Sequence, residues 1–140
     1  MLFSVKNYGT KHGVSSKLHS IPQGNLLYEV KGPMGKGLQV QPTGIHIAFA
    51  AGTGVLCFVD LVGHLIQARL GWISEQMVDL DLFKFIFYVS FDNESESIAL
   101  ELLEAFSHYC ERHGYLNFDL HVRLKDEFRN EALWDREFIV

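Results

Sequence analysis

The stretch from His46 to Ile66, HIAFAAGTGVLCFVDLVGHLI, limits most strongly what this chain can fold into. Two apolar segments flank the tripeptide Gly-Thr-Gly, and together they are long enough to cross a membrane as one helix. His46, Asp60 and His64 would then enter lipid, where a charge near the bilayer centre costs about 3 kcal/mol. The stretch therefore favours a soluble domain, and we predict no transmembrane segment.

The two halves of this stretch differ in the spacing of their apolar residues. Ile45 to Ala51 is apolar at almost every position, which is typical of a strand buried on both faces. From Val55 to Leu70 the polar residues fall on one narrow side, which predicts a well-buried helix. The sequence thus predicts a strand, a glycine turn and a helix in that order.

Composition agrees with a globular domain. The chain has 140 residues, of which 48% are hydrophobic and 21% charged, so it can bury a real core. Its net charge of −5 argues against general electrostatic binding of nucleic acid.

The first residues contain no apolar run typical of a secretory signal. Cys57 and Cys110 stand in apolar surroundings and are expected to be buried free thiols, which favours an intracellular location, cytoplasmic or organellar.

The rest of the chain predicts an α/β fold with a parallel sheet joined by right-handed crossovers. A loop rich in glycine and proline separates two units, residues 1–38 and 39–140. A turn-rich link is expected over Gly9–Ser16, followed by a short helix that ends at Pro22. Further strands are predicted at Leu2–Tyr8, Leu26–Gly32, Leu82–Phe91 and Leu116–Leu124.

A helix is predicted between the last two strands. The segment DNESES should open it, with Asp92, Asn93 or Ser95 as the cap, and Gly114 should end it. Its expected core positions are Ile98, Leu102, Ala105, Phe106, Tyr109 and Cys110.

The glycine turn has a physical use at the end of a buried strand. Gly52 and Gly54 allow tight backbone geometry and close approach of a ligand, and Thr53 adds a hydroxyl donor. The start of the following helix presents free amides and positive charge, which suits a phosphate. Spacing alone supports equally well a turn that only packs the helix on the sheet.

Other candidate chemistry is weak. The seven histidines lack the spacing of metal ligands, so no metal site is expected. Ser15 and Ser16 lack the context of a nucleophile elbow and could simply be a polar pair in a loop.

Two motifs in order resemble the ferredoxin reductase superfamily, in which a flavin-binding barrel precedes a nicotinamide-nucleotide domain. A Gly-Pro-x-Gly segment leaves the barrel, and a Gly-Gly-Thr-Gly-Ile-like turn, usually followed by x-Pro, opens the nucleotide domain. Here Ala51 replaces the first glycine of that turn and Cys57 replaces the proline. The resemblance covers roughly residues 2–125. The matching residues are Gly32, Pro33, Met34 and Gly35, then Gly52, Thr53, Gly54 and Val55.

The resemblance extends to the segment before these motifs. The family has a Gly-x-x-Ser-x-x-Leu segment that reaches the flavin pyrophosphate and then a Gly-Asp turn, and Asn25 stands here for that aspartate. The resemblance thus implies that Ser15 and Ser16 face the flavin phosphates. The matching residues are Gly13, Ser15, Ser16, Leu18 and Gly24.

Two motifs of that family are missing from the sequence. The flavin-binding Arg-x-Tyr-Ser and the late Cys-Gly-Pro tripeptide do not occur. The resemblance therefore implies a partial reductase: residues 1–38 as the end of a flavin barrel, and residues 39–140 as an NAD(P)-binding-like domain that is incomplete at its C-terminus. A FAD site is possible but incomplete, and a partner chain or a second copy could complete the barrel and the sheet.

The function implied by the resemblance is hydride transfer between a nicotinamide and a flavin. The cofactors carry that reaction, so no catalytic side chain is expected. The segment SFDNESES would meet the adenosine ribose, where Asp92 suits ribose hydroxyls and repels a 2′-phosphate, so NAD is expected over NADP. Asp92 could instead only charge and cap the helix.

Two classes of function remain at this point. The first is an NADH-dependent flavoprotein oxidoreductase or a fragment of one. The second is a non-catalytic protein of the same fold that serves as a structural or interaction module in a larger assembly.

Overall fold

The computed structural model describes residues 13–21, 36–74 and 76–125. Contacts divide the chain into two compact units, Met1–Gly37 and Leu38–Val140. In the first unit the described element is α1 (Val14–Ser20). The turn predicted up to Ser16 is wrong at its end, because Val14 to Ser16 already belong to this helix. The predicted strands Leu2–Tyr8 and Leu26–Gly32 lie outside the described residues.

The second unit alternates strands and helices, as the sequence predicts. Each strand is rich in apolar and aromatic residues, and each long helix ends near a glycine. The elements are β1 (Gly44–Ala51), α2 (Leu56–Arg69), β2 (Phe83–Phe91), α3 (Leu100–His113) and β3 (Phe118–Leu124).

The three strands form a parallel sheet in the order β1-β2-β3. Ala51 pairs with Ser90, and Ser90 pairs with Arg123, so the three strands end at nearly the same level. The α/β class and the parallel sheet are therefore confirmed. A parallel register places the carboxyl ends of all three strands at one edge of the sheet.

Both long helices pack on the same face of this sheet. Right-handed crossovers that advance in one direction along a sheet place their helices on one side. Phe85 and Phe87 of β2 are at most 2% exposed at the centre of this core. The ring of Phe58 from α2 lies 5.0 Å from that of Phe87, and the ring of Phe106 from α3 lies 4.9 Å from that of Phe118.

The opposite face of the sheet is unevenly covered. On β1 the side chains of Ile45, Ile47 and Phe49 are 69%, 59% and 52% exposed. Tyr88 of β2 is buried, and its ring stacks 4.9 Å from Phe49 and 4.4 Å from His121. This face is therefore apolar and open along β1, which is not buried on both faces as expected, and it carries polar and charged side chains on β3.

The start of the third helix differs from the prediction. Asn93 caps a short 3-10 turn, Glu94–Glu96, and its Oδ1 accepts a hydrogen bond from the Glu96 amide. The α-helix itself begins at Leu100, after Ala99 in the left-handed conformation with φ of 61°. Phe106 and Cys110 are buried as expected, but Leu103 is buried in place of Leu102, which is exposed.

The prediction of two buried thiols is half correct. Cys110 is buried on α3, whereas Cys57 is exposed near the start of α2. Cys57 lies three residues before Asp60 and seven before His64, on the narrow polar side of α2, and this spacing could have predicted its exposure. Among the described residues, no helix is long and apolar enough to cross a membrane.

Candidate functional site

The candidate site lies at the carboxyl edge of the sheet and begins with the glycine turn, Gly52–Val55. This turn is a 3-10 segment that joins the end of β1 to α2. Gly52 has a φ of +51°, in the left-handed region that side chains with a Cβ adopt at a cost. The local geometry therefore explains why glycine stands at position 52.

Packing does not explain either glycine of the turn. A Cβ added at Gly52 would meet no atom within 4 Å, and one added at Gly54 would meet only the Cβ of Ala50 at 4.0 Å. Gly54 has no positive φ either. The space next to both residues is open, so a ligand can approach the backbone more closely than a side chain would allow.

The glycine turn also supplies hydrogen-bond donors. The first amides of a helix lack partners within that helix, and they lie at its positive end. Thr53 is half-buried in the turn and carries a hydroxyl. Val55, expected in the site, has a fully buried side chain, so it anchors the turn in the core and can meet a ligand only through its backbone. These groups suit a phosphate or pyrophosphate.

Asp92 lies at the same edge, at the end of the neighbouring strand. Because Ala51 pairs with Ser90, Asp92 stands just past the level at which the glycine turn begins. Its side chain is 60% exposed. The register therefore brings together the two parts of the site that the sequence predicts, the turn and the carboxylate.

Lys125 is a residue of this edge that the sequence does not predict. It follows β3 directly, and its Nζ lies 3.5 Å from Oδ1 of Asp92. The segment SFDNESES contains no cation, but a parallel sheet also brings the end of the next strand to this edge. Ser90 and Arg123, which precede Asp92 and Lys125 by two residues, pair with each other across the sheet, and both are buried.

The segment after Asp92 and the first turns of α3 are acidic. An open cleft of about 710 Å³ lies beside the turn at Glu94–Glu96, and it is lined by both polar and apolar side chains. Glu94, Glu101 and Glu104 contribute carboxylates to its wall. Neither Asp92 nor the glycine turn lines this cleft.

The remaining predicted residues belong to the first unit, Met1–Gly37. Ser15 and Ser16 lie half-buried in the first turn of α1, in the first unit, and not in a loop. Gly32, Pro33, Met34 and Gly35 lie outside the described residues. Within residues 13–21, 36–74 and 76–125, no cluster of three or more His, Cys, Asp or Glu residues could hold a metal.

Comparison with known proteins adds no family. No protein-family model matches the chain, and no match was found among curated proteins or solved structures.

Proposed function

We propose that the second unit binds a nicotinamide dinucleotide at the carboxyl edge of its sheet, as the nucleotide-binding part of an NADH-dependent flavoprotein oxidoreductase. One observation carries the proposal: Gly52 and Gly54 leave open space at the start of a helix that follows a parallel strand. Open α/β sheets bind ligands at this edge. The bound dinucleotide would supply or accept the hydride.

The residues of the edge divide the binding between them. Backbone amides at Gly52 to Gly54 and the hydroxyl of Thr53 hold the pyrophosphate, while the buried side chain of Val55 fixes the turn. The carboxylate of Asp92 accepts hydrogen bonds from hydroxyls of the adenosine ribose. These groups position the ligand, and none of them needs to transfer a proton.

The same carboxylate favours NADH over NADPH. A 2′-phosphate would replace a hydroxyl donor by a group of charge near −2 beside the carboxylate of Asp92. The preference is moderate, because Asp92 is exposed and solvent screens its charge.

Flavin binding by this chain is expected to be weak or absent. Ser15 and Ser16 could contact a pyrophosphate, but the Arg-x-Tyr-Ser motif is missing from the sequence. The visible absorbance of the purified chain tests this expectation. Stoichiometric flavin retained through purification would contradict it and would indicate a barrel completed by a partner chain or a second copy.

The nucleotide site is tested by adding one methyl group to the turn. Gly54→Ala should lower NADH affinity about tenfold or more, because the Cβ occupies the space of the phosphate, a loss of about 1.4 kcal/mol. Gly54 is a better choice than Gly52, since a Gly52→Val variant would also strain a left-handed residue. NADH fluorescence titration of the parent and the variant measures the effect.

Gly63→Ala is the matched control. Gly63 lies within α2, and a Cβ there also meets no atom within 4 Å. Alanine should stabilise the helix by about 1 kcal/mol without changing NADH affinity. An equal affinity of both variants and the parent for NADH would remove the glycine turn from the site.

The exposed apolar stripe on β1 favours a second candidate function, an interaction module. Ile45, Ile47 and Phe49 expose more than half of their side chains on one face of a strand at the sheet edge. Such patches and edges mark protein contacts, here with a second copy. A folded, colourless parent that does not bind NADH, sediments as a dimer and becomes monomeric on Ile47→Lys would support this function over the first.

A further inference from the structure

The ion pair between Lys125 and Asp92 changes the charge that a nucleotide meets at the edge of the sheet. Nζ of Lys125 lies 3.5 Å from Oδ1 of Asp92, and the two side chains are 64% and 60% exposed. Exposed ion pairs of this kind are weak, so the lysine can exchange its partner at little cost. Asp92 therefore does not act as an isolated negative charge.

The strand order β1-β2-β3 places Lys125 one strand beyond Asp92, which is the proposed contact of the ribose. Neighbouring strands lie about 4.8 Å apart, so β1, β2 and β3 present the glycine turn, Asp92 and Lys125 at successive steps across the edge. A dinucleotide whose pyrophosphate lies on the turn and whose ribose lies at Asp92 would direct its 2′ substituent toward the Asp92–Lys125 pair. A 2′-phosphate can then take the lysine from the carboxylate.

We propose that Lys125 is a specificity-determining residue that reduces the discrimination of this site against NADPH. The inference rests on the proposed nucleotide site. The lysine neutralises Asp92 in the free protein and pairs with the 2′-phosphate when NADPH is bound. NADH, which carries a hydroxyl at that position, gains nothing from Lys125 and uses Asp92 alone.

The sheet contains a matched pair at its other end. Nζ of Lys84 lies 3.7 Å from Oδ2 of Asp119, and these side chains are 37% and 44% exposed. Lys84 and Asp119 lie near the starts of β2 and β3, so they are at the amino edge of the same sheet. A substitution of Lys84 makes the same change of charge far from the proposed site.

The experiment measures the affinities of NADH and NADPH by fluorescence titration for the parent, Lys125→Gln, Asp92→Asn and Lys84→Gln. Lys125→Gln should weaken NADPH about two- to fivefold and leave NADH unchanged. Asp92→Asn should strengthen NADPH and weaken NADH, because the lysine is released and the ribose acceptor is lost. The effect of Lys125→Gln should shrink at high salt, and Lys84→Gln should leave the affinity ratio as in the parent.

The outcomes separate the two proposals. If the parent binds NADH but Lys125→Gln changes the NADPH affinity no more than Lys84→Gln does, the role of Lys125 is wrong and the nucleotide site stands. If the parent binds neither nucleotide, the proposed function fails and the inference fails with it.

Discussion

The two ends of the parallel sheet are built differently. At the amino end, Arg69 from α2 donates from Nη2 to the Leu80 carbonyl oxygen at 2.8 Å and from Nε to Oδ1 of Asn117 at 3.2 Å. Its guanidinium carbon lies 4.2 Å from the centre of the Tyr115 ring, and Asn117 is only 3% exposed. The side chain thus joins a helix end to the segments that precede two strands.

At the carboxyl end, Asp92 and Lys125 are held loosely, whereas Arg123, two residues before Lys125, is buried. Asp92 and Lys125 are more than half exposed, and the glycines of the turn face open space. Partly buried, multiply bonded charges stabilise a fold when they stay paired, whereas exposed charges contribute little to stability and remain available to a ligand. The difference predicts that substitutions at the amino end change stability and that those at the carboxyl end change binding.

The largest expected effect is a loss of stability on a substitution at the amino end of the sheet. Arg69→Ala should lower the free energy of unfolding by about 2–3 kcal/mol, because the hydrogen bonds to Leu80 and Asn117 and the contact with Tyr115 are lost together. Urea unfolding followed by circular dichroism measures this change. Arg112→Ala, at an exposed position of α3, is the control and should stay within about 0.5 kcal/mol of the parent. Equal stability of Arg69→Ala and the parent would contradict the assigned role.

The second prediction concerns the thiols of Cys57, near the carboxyl end of the sheet, and Cys110, near its amino end. Burial raises the pKa of Cys110 from 9.0 to about 11, opposed by the charge of Arg69 and assisted by Glu111. The folded state therefore keeps this proton at pH values where the unfolded chain loses it. Stability from this group is complete below pH 9 and falls as the pH rises from 9 to about 11, by at most about 1.4 kcal/mol per pH unit.

The measurement compares unfolding free energies across that pH range. The parent and Cys57→Ser should show the decline, and Cys110→Ala should show less of it because its titrating thiol is gone. In the native protein at pH 8, a thiol reagent should modify the exposed Cys57 rapidly and Cys110 only after unfolding. Rapid modification of both thiols in the native state would show that the amino end opens far more readily than its contacts indicate.

The smallest expected effect is a change in nucleotide preference on a substitution at the carboxyl end of the sheet. Asp92→Arg should narrow or reverse the preference for NADH, since arginine pairs with a phosphate through two hydrogen bonds. The expected change in the ratio of affinities is several-fold, about 1 kcal/mol, because both Asp92 and Lys125 are exposed. Calorimetric titration with NADH and NADPH measures the ratio. An unchanged ratio would leave Asp92 as a residue of the turn before α3 and outside the site.

The elements of the second unit were predictable because their patterns are local. Alternating or continuous apolar residues over Ile45–Ala51, Leu82–Phe91 and Leu116–Leu124 predict strands whatever surrounds them, and Gly114 ends α3 as expected. The start of α3 was not predictable in this way. Asn93, Ser95 and the glutamates suit a short 3-10 turn as well as the first turn of a helix, and the choice between them depends on how Leu100 and Leu103 reach the core.

The sequence by itself determined the order of strand, glycine turn and helix and, through parallel topology, that Gly52, Gly54 and Asp92 share one edge. Only the tertiary structure decided that the space beside the glycines is open, because packing depends on residues distant in sequence. It also decided the partner of Asp92. Lys125 is 33 positions away along the chain, and only the register of β2 with β3 brings its ammonium group to that carboxylate.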